Sequence, residues 1–268
     1  MGSIGRAFKV VLEIGLCISI FCLVSFIAIS IQQRKGEEDE LEKIREIAAV
    51  ETPMPDADIQ SEIMENTGED APSPTPLETD ENMLKTYDFE ALRAINPDII
   101  GWIYAPGTPI DYPILKAGEE KQEDYYLKYT YENKRRSCGS IFIRKDTDST
   151  FRDDVSVIYG HNMRSGIMFA CLHKYLSGDY LFNNKRVYIY TPDQTISYEI
   201  FAGLTRGATL LSYDYPDADT LLDYVFEKAS VLDREVDVSR NRILSLSTCG
   251  NSNTRVVIFA IEKKRIDN

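Results

Sequence analysis

Residues 84–268 predict a mainly β domain, a barrel or sandwich with helical insertions, and three observations carry that reading. Short runs rich in β-branched and aromatic residues recur between turn signals, from Ile99 to Ile261. The runs VYIYT and TISYEIF flank Pro192-Asp193-Gln194 as the two arms of a hairpin. Only three segments of this region show helical periodicity, and nothing repeats at intervals of 20 to 50 residues. Many short strands with few helices indicate a closed or two-layered β architecture.

The elements follow in order. Asp88 to Ile95 reads as a helix, stopped at Asn96-Pro97 because the residue before proline is forced out of helical geometry. Strands are expected at 99–104, 110–115, 140–144, 155–159, 186–191, 195–204, 243–247 and 255–261. Ile167 to Leu176 is amphipathic, and Ala218 to Ser230 sets Leu221, Leu222, Val225 and Phe226 on one side, so both read as helices.

The segment that precedes the domain has a different physics. Residues 14–33 carry no charge, and the apolar stretch reaches back through Val10, which is the length a helix needs to span a bilayer. A cleaved signal peptide has a shorter apolar core and a small-residue cleavage site, so residues 10–33 read as an uncleaved anchor, with residues 1–9 before it. Arg6 and Lys9 precede the span, while Arg34, Lys35, Lys43 and Arg45 follow it, so positive charge alone does not orient it. Residues 34–83 read as an acidic linker containing Pro53, Pro55, Pro72, Pro74 and Pro76. Leu41, Ile44 and Ile47 allow a short helix over Glu37 to Val50. As a flexible coil the linker reaches roughly 40 Å.

The formal net charge of the chain is −13, but residues 36–81 alone hold 16 acidic and 2 basic side chains. The domain is therefore close to neutral, and the basic surface that tracks nucleic-acid phosphates is excluded. Five cysteines include Cys17 and Cys22 in the span, leaving Cys138, Cys171 and Cys249. An odd number without paired spacing supports neither a disulfide framework nor a zinc site.

Two histidines leave few candidates for proton transfer. His161 follows an apolar strand and Gly160, at a strand-to-loop boundary where a rigid element can aim a side chain into a cleft. On local context it reads equally well as a loop histidine. His173 lies inside IMFACLHKYL and reads as a satisfied or solvent-facing residue. Cys249 ends a strand and is followed by a five-residue polar loop, after which Arg255 opens the next strand. Such a hairpin sets Cys249 and Arg255 near each other at its end. A nearby cation favours a thiolate, and a guanidinium can donate to an oxygen that becomes negative in acyl transfer. An ordinary thiol is only about 3% ionised at pH 7, so activation has a purpose. Cys249 is flanked by Ser247, Thr248, Gly250 and Asn251, which do not form an apolar packing shell. Cys138 and Cys171 read as structural or incidental. The residues by themselves point to a Cys249/His161 nucleophile and base with Arg255 as electrostatic partner.

The stretches IYGHNM at 158–163, LSTC at 246–249 and the strand-opening Arg255 resemble the signatures of sortases, membrane-anchored cysteine transpeptidases of Gram-positive bacteria. NPDIIGWI at 96–103, GTPIDYPI at 107–114 and the helix from Ala218 are similar to class B members in particular. The resemblance covers residues 84–264. It implies an eight-stranded β-barrel with an N-terminal helix and a helix between the sixth and seventh strands.

It also implies cleavage after threonine of a C-terminal sorting motif, Asn-Pro-x-Thr-x or a Pro-x-Thr-Gly variant, on surface proteins. Cys249 would form a thioester, Arg255 would stabilise the oxyanion, His161 would protonate the leaving amine, and Ser247 and Thr248 would line the peptide groove. The acceptor would be an amine of a peptidoglycan cross-bridge or stem peptide, with a pilin lysine as second choice. No cofactor or metal is implied. Asn251 and Asn253 stand where some class B members carry an acidic residue, so no carboxylate is assigned to the site, and the loop from Cys249 to Arg255 is short for the class. The resemblance sets the N-terminus in the cytoplasm and the catalytic domain outside. A hydrolytic cysteine peptidase and a non-catalytic membrane-tethered binding domain are the other readings that anchor, linker and cysteine allow.

Overall fold

The computed structural model describes residues 2–49, 85–208, 217–239, 242–250 and 253–268, with side chains from Leu16 onward except Cys17. Contacts divide the chain into Met1–Ile44 and Arg45–Asn268. Helix α1 runs Gly2–Ala48. It covers the expected span and most of the short helix expected after it, while residues 50–83 of the linker lie outside the described residues. The apolar side chains from Leu16 to Ile31 stand exposed to their surroundings, which water would penalise and hydrocarbon would not.

Helix α2, Phe89–Ile95, starts where the Asp88 carboxylate accepts the Ala91 N–H at 2.8 Å, and stops at extended Asn96 before Pro97. Asn96 is fully buried and its Nδ2 donates to the Tyr126 hydroxyl at 3.0 Å and to the Tyr131 carbonyl at 2.7 Å. Tyr126 in turn donates to Asp98 at 2.6 Å, and Lys121 pairs with the same carboxylate at 2.7 Å. Burial opposes the Asp98 charge, but these two bonds and the Gly118 N–H outweigh it and hold the carboxyl below its usual range. The cluster fixes a 3₁₀ turn, Tyr125–Leu127, beneath the site described below.

Nine strands follow: β1 Ile99–Tyr104, β2 Asp111–Lys116, β3 Ile141–Ile143, β4 Val155–Tyr159, β5 Arg186–Tyr190, β6 Gln194–Gly207, β7 Val231–Leu232, β8 Ile243–Cys249 and β9 Thr254–Asp267. Their order is β5-β1-β2-β3-β4-β8-β9-β6-β7, and β5 also pairs with β6. That last pairing closes eight strands into a barrel and leaves two-residue β7 as an appendage on β6. Closure removes the exposed edges that an open sheet would present. The pairs β2–β3 and β4–β8 are parallel and the rest antiparallel.

The expected strands are all present, two of them with the expected ends and the others with ends moved by up to six residues. The expected helix at 167–176 is a 3₁₀ helix, Ala170–Leu176, and it starts late because Met168 turns into the left-handed region at φ 56°. A six-residue helix α3, Gly178–Asn183, follows.

Helix α4, Ala218–Lys228, sits between β6 and β7. It begins at Asp217, whose carboxylate accepts the Thr220 N–H at 2.8 Å. Its Leu221, Leu222 and Val225 pack with Ile243, Val257, Phe259 and Ile261. Alternation along a strand puts residues 243, 245, 247 and 249 on one face of β8. The apolar end of that row therefore lies under α4, and its far end carries Ser247 and Cys249.

Candidate active site

The end of that row opens into a cleft of about 150 Å³ whose lining includes Tyr159, His161, Ser247, Thr248, Cys249 and Arg255. Three neighbouring strands deliver these side chains. Parallel pairing sets Tyr159 of β4 beside Ser247, and antiparallel pairing sets Cys249 of β8 opposite Arg255 of β9. Paired residues share a face, so the thiol and the guanidinium meet, with Arg255 Nη1 3.5 Å from Cys249 Sγ. A further 3.3 Å bond from Nη1 to the Thr254 carbonyl keeps the guanidinium close to the hairpin.

His161 reaches the cleft from the β4 side. Gly160 precedes it because a Cβ there would collide with Ile141 and Phe169, so only glycine lets the chain turn against the barrel wall. The Gly160 N–H donates to the Ser247 carbonyl at 3.1 Å, and the Thr248 hydroxyl donates to the Gly160 carbonyl at 2.8 Å. The turn that carries the histidine is thus bonded to the strand that carries the cysteine. His161 Nε2 lies 2.7 Å from the Leu127 carbonyl, which can only accept, so Nε2 bears a proton and Nδ1 is the nitrogen left for proton exchange. Leu127 follows Tyr126, which buried Asn96 and half-buried Asp98 hold in place. Glu123 and Asp124, just before it, also border the cleft.

The other two cysteines of the domain are set away from solvent. Cys138 and Cys171 are buried, and desolvation pushes the Cys171 thiol up to about 11. Among the described residues no group of three or more His, Cys, Asp or Glu gathers to hold a metal ion. The structure therefore brings together in one cleft His161, Cys249, Arg255, Ser247 and Thr248, the five residues singled out from the sequence. Glu123, Asp124, Leu127 and Phe142 escaped notice because they come from segments far from either motif.

The sortase domain model matches residues 103–263, more than half of the chain. The chain belongs to the sortase family. Sortase B of Listeria monocytogenes is 37% identical over 167 residues, which span 60% of this chain and 67% of the relative. Sortase B of Staphylococcus aureus is 29% identical over 182 residues, 64% of this chain and 73% of the relative. Among solved structures, sortase B of Clostridium perfringens superposes with a TM-score of 0.57 at 30% identity, covering 65% of this chain and 99% of that one. A Staphylococcus aureus sortase B–substrate complex gives 0.59 at 27% identity, covering 66% and 84%. The eight-stranded mixed barrel with its N-terminal helix is the architecture of those sortases, and the chain is a cysteine transpeptidase of the sortase B family.

Proposed function

We propose that Cys249 is the nucleophile that cleaves a C-terminal sorting motif, Asn-Pro-x-Thr-x or a Pro-x-Thr-Gly variant, after its threonine. The observation that carries this is the Cys249–Arg255 contact of 3.5 Å in a cleft that His161 shares. The thiolate sulfur attacks the threonine carbonyl carbon, and the negative oxygen of the tetrahedral intermediate takes hydrogen bonds from the Arg255 guanidinium. As the C–N bond breaks, His161 gives its Nδ1 proton to the departing amine and a thioester remains. An incoming amine then attacks that thioester, His161 takes a proton from it, the C–S bond breaks and the thiolate returns. Ser247 and Thr248 border the bound peptide, Thr248 mainly by fixing the turn before His161. The acceptor is an amine of a peptidoglycan cross-bridge or stem peptide, with a pilin lysine as the second choice.

The exposed apolar face of α1 supports a single-pass anchor, with residues 1–9 in the cytoplasm and the catalytic domain outside, where wall amines are found. The test is to incubate the full chain in detergent with peptides of both motif classes, with and without triglycine, and to locate the cleaved bond by mass spectrometry. Cleavage after threonine and a triglycine adduct are expected, and Cys249→Ala should abolish both. Retained cleavage in that variant would remove Cys249 from the mechanism.

A further inference from the structure

We propose that His173 and Asn162 form a positioning pair that grips the backbone carbonyl of Cys249, an inference resting on Cys249 being the nucleophile. The need for such a grip follows from the sheet. Strand β4 ends at Tyr159, opposite Ser247, so β8 runs two residues beyond its parallel neighbour. The Cys249–Gly250 peptide is planar, and its N–H and C=O point in opposite directions. The Gly250 N–H donates to the Thr254 carbonyl of β9 at 2.9 Å, so the Cys249 carbonyl faces the side where β4 has run out. Two side chains stand in for the missing strand. Asn162 Nδ2 donates to that carbonyl at 3.2 Å, and His173 Nε2 lies 2.9 Å from it and 2.9 Å from Asn162 Nδ2. The carbonyl oxygen can only accept, so the ring that grips it carries its proton on Nε2, and the 2.9 Å between Nε2 and Asn162 Nδ2 is then the approach of two donors converging on one oxygen, not a bond between them.

The peptide that follows the nucleophile is thereby pinned at both ends, one by the hairpin and the other by the pair. Asn162 adjoins His161, and the 3₁₀ helix bearing His173 is tied to the same loop, where the Phe169 N–H donates to the His161 carbonyl at 3.0 Å. The grip thus couples the position of the thiol to the loop that carries the acid. Neither side chain needs to touch the substrate.

The experiment measures kcat, KM and thermal midpoint of the full chain in detergent, using the Asn-Pro-x-Thr-x peptide that the unsubstituted chain cleaves fastest. His173→Ala should lower kcat about tenfold with KM changed less than about twofold, the loss expected for one hydrogen bond that aligns a reacting atom. His173→Gln, which keeps an N–H at similar reach, should recover most of the rate. Asn162→Ala should lower kcat as well, and the double variant should lose less than the product of the two, since both donors serve one oxygen. An unchanged kcat in His173→Ala overturns the proposal. So does an equal loss in the Ala and Gln variants that tracks a fallen thermal midpoint, the mark of a packing role. Cys249→Ala separates the two levels. If that variant still cleaves, the nucleophile assignment fails, whereas a dead Cys249→Ala beside an unimpaired His173→Ala removes only the positioning pair.

Discussion

In the proposed reaction Arg255 serves a sulfur and an oxygen in turn, and its shape decides whether it can. A guanidinium presents several N–H groups in one plane, so Nη1 can stay at the thiolate while another N–H reaches the oxyanion that grows beside it. An ammonium is a point charge on a flexible stem and offers no fixed second donor. Arg255→Lys is therefore expected to preserve the fold and still to lower kcat/KM about 100-fold or more, the cost of an oxyanion donor. Steady-state cleavage of a sorting-motif peptide checks this, with the thermal midpoint as control. A loss below about threefold would show that charge alone suffices and that the fork geometry is idle.

Elements set these side chains, and the sequence declares some elements better than others. Strands β4 and β8 are legible as short β-rich runs, buried on both faces, that stop at turn residues. Cys249 and Arg255 could be placed together from a hairpin of five intervening residues alone. The last stretch of β9 is not legible: Lys263, Lys264 and Arg265 do not look like a strand, yet Lys264 and Arg265 pair with β6 past a bulge at Lys263, and Arg265 donates to Gln194, Thr150 and Phe151. Helix α3 is too short to show a period. His173 reads from the sequence as satisfied or solvent-facing, but the backbone carbonyl that satisfies it lies 76 residues away, which no local pattern announces. The Asp98 cluster was equally silent, and it carries an element-scale prediction. Its carboxyl titrates lower in the folded chain than in the unfolded one, so its charge stabilises the fold above the unfolded value of about 3.9 and ceases to as pH falls through the folded value. Asp98→Asn should unfold at lower urea than the unsubstituted chain near pH 7, and that gap should narrow as pH falls below about 4, closing below the folded value. A gap of the same size at both pH values would assign the stabilisation to packing instead of charge.

At the scale of the whole molecule the acidic segment, the apolar helix and the cysteine distribution combine into one test of topology. The charge of the chain lies mostly between residues 36 and 81 and so bears on spacing more than on catalysis. Of the five cysteines, Cys17 and Cys22 belong to the apolar helix, and Cys138 and Cys171 are buried in the domain, the latter with its thiol pushed up to about 11. A charged maleimide cannot cross a bilayer, and it reacts with the thiolate of an accessible cysteine. Cys249, half-buried at the cleft, is therefore the one sulfur in the domain that such a reagent should find. Added to intact cells, it should modify the chain once, at Cys249 by peptide mapping, and the signal should vanish in Cys249→Ser. Labelling only after the cells are broken would place the catalytic domain on the cytoplasmic side, and the proposed access to wall amines would fall with it.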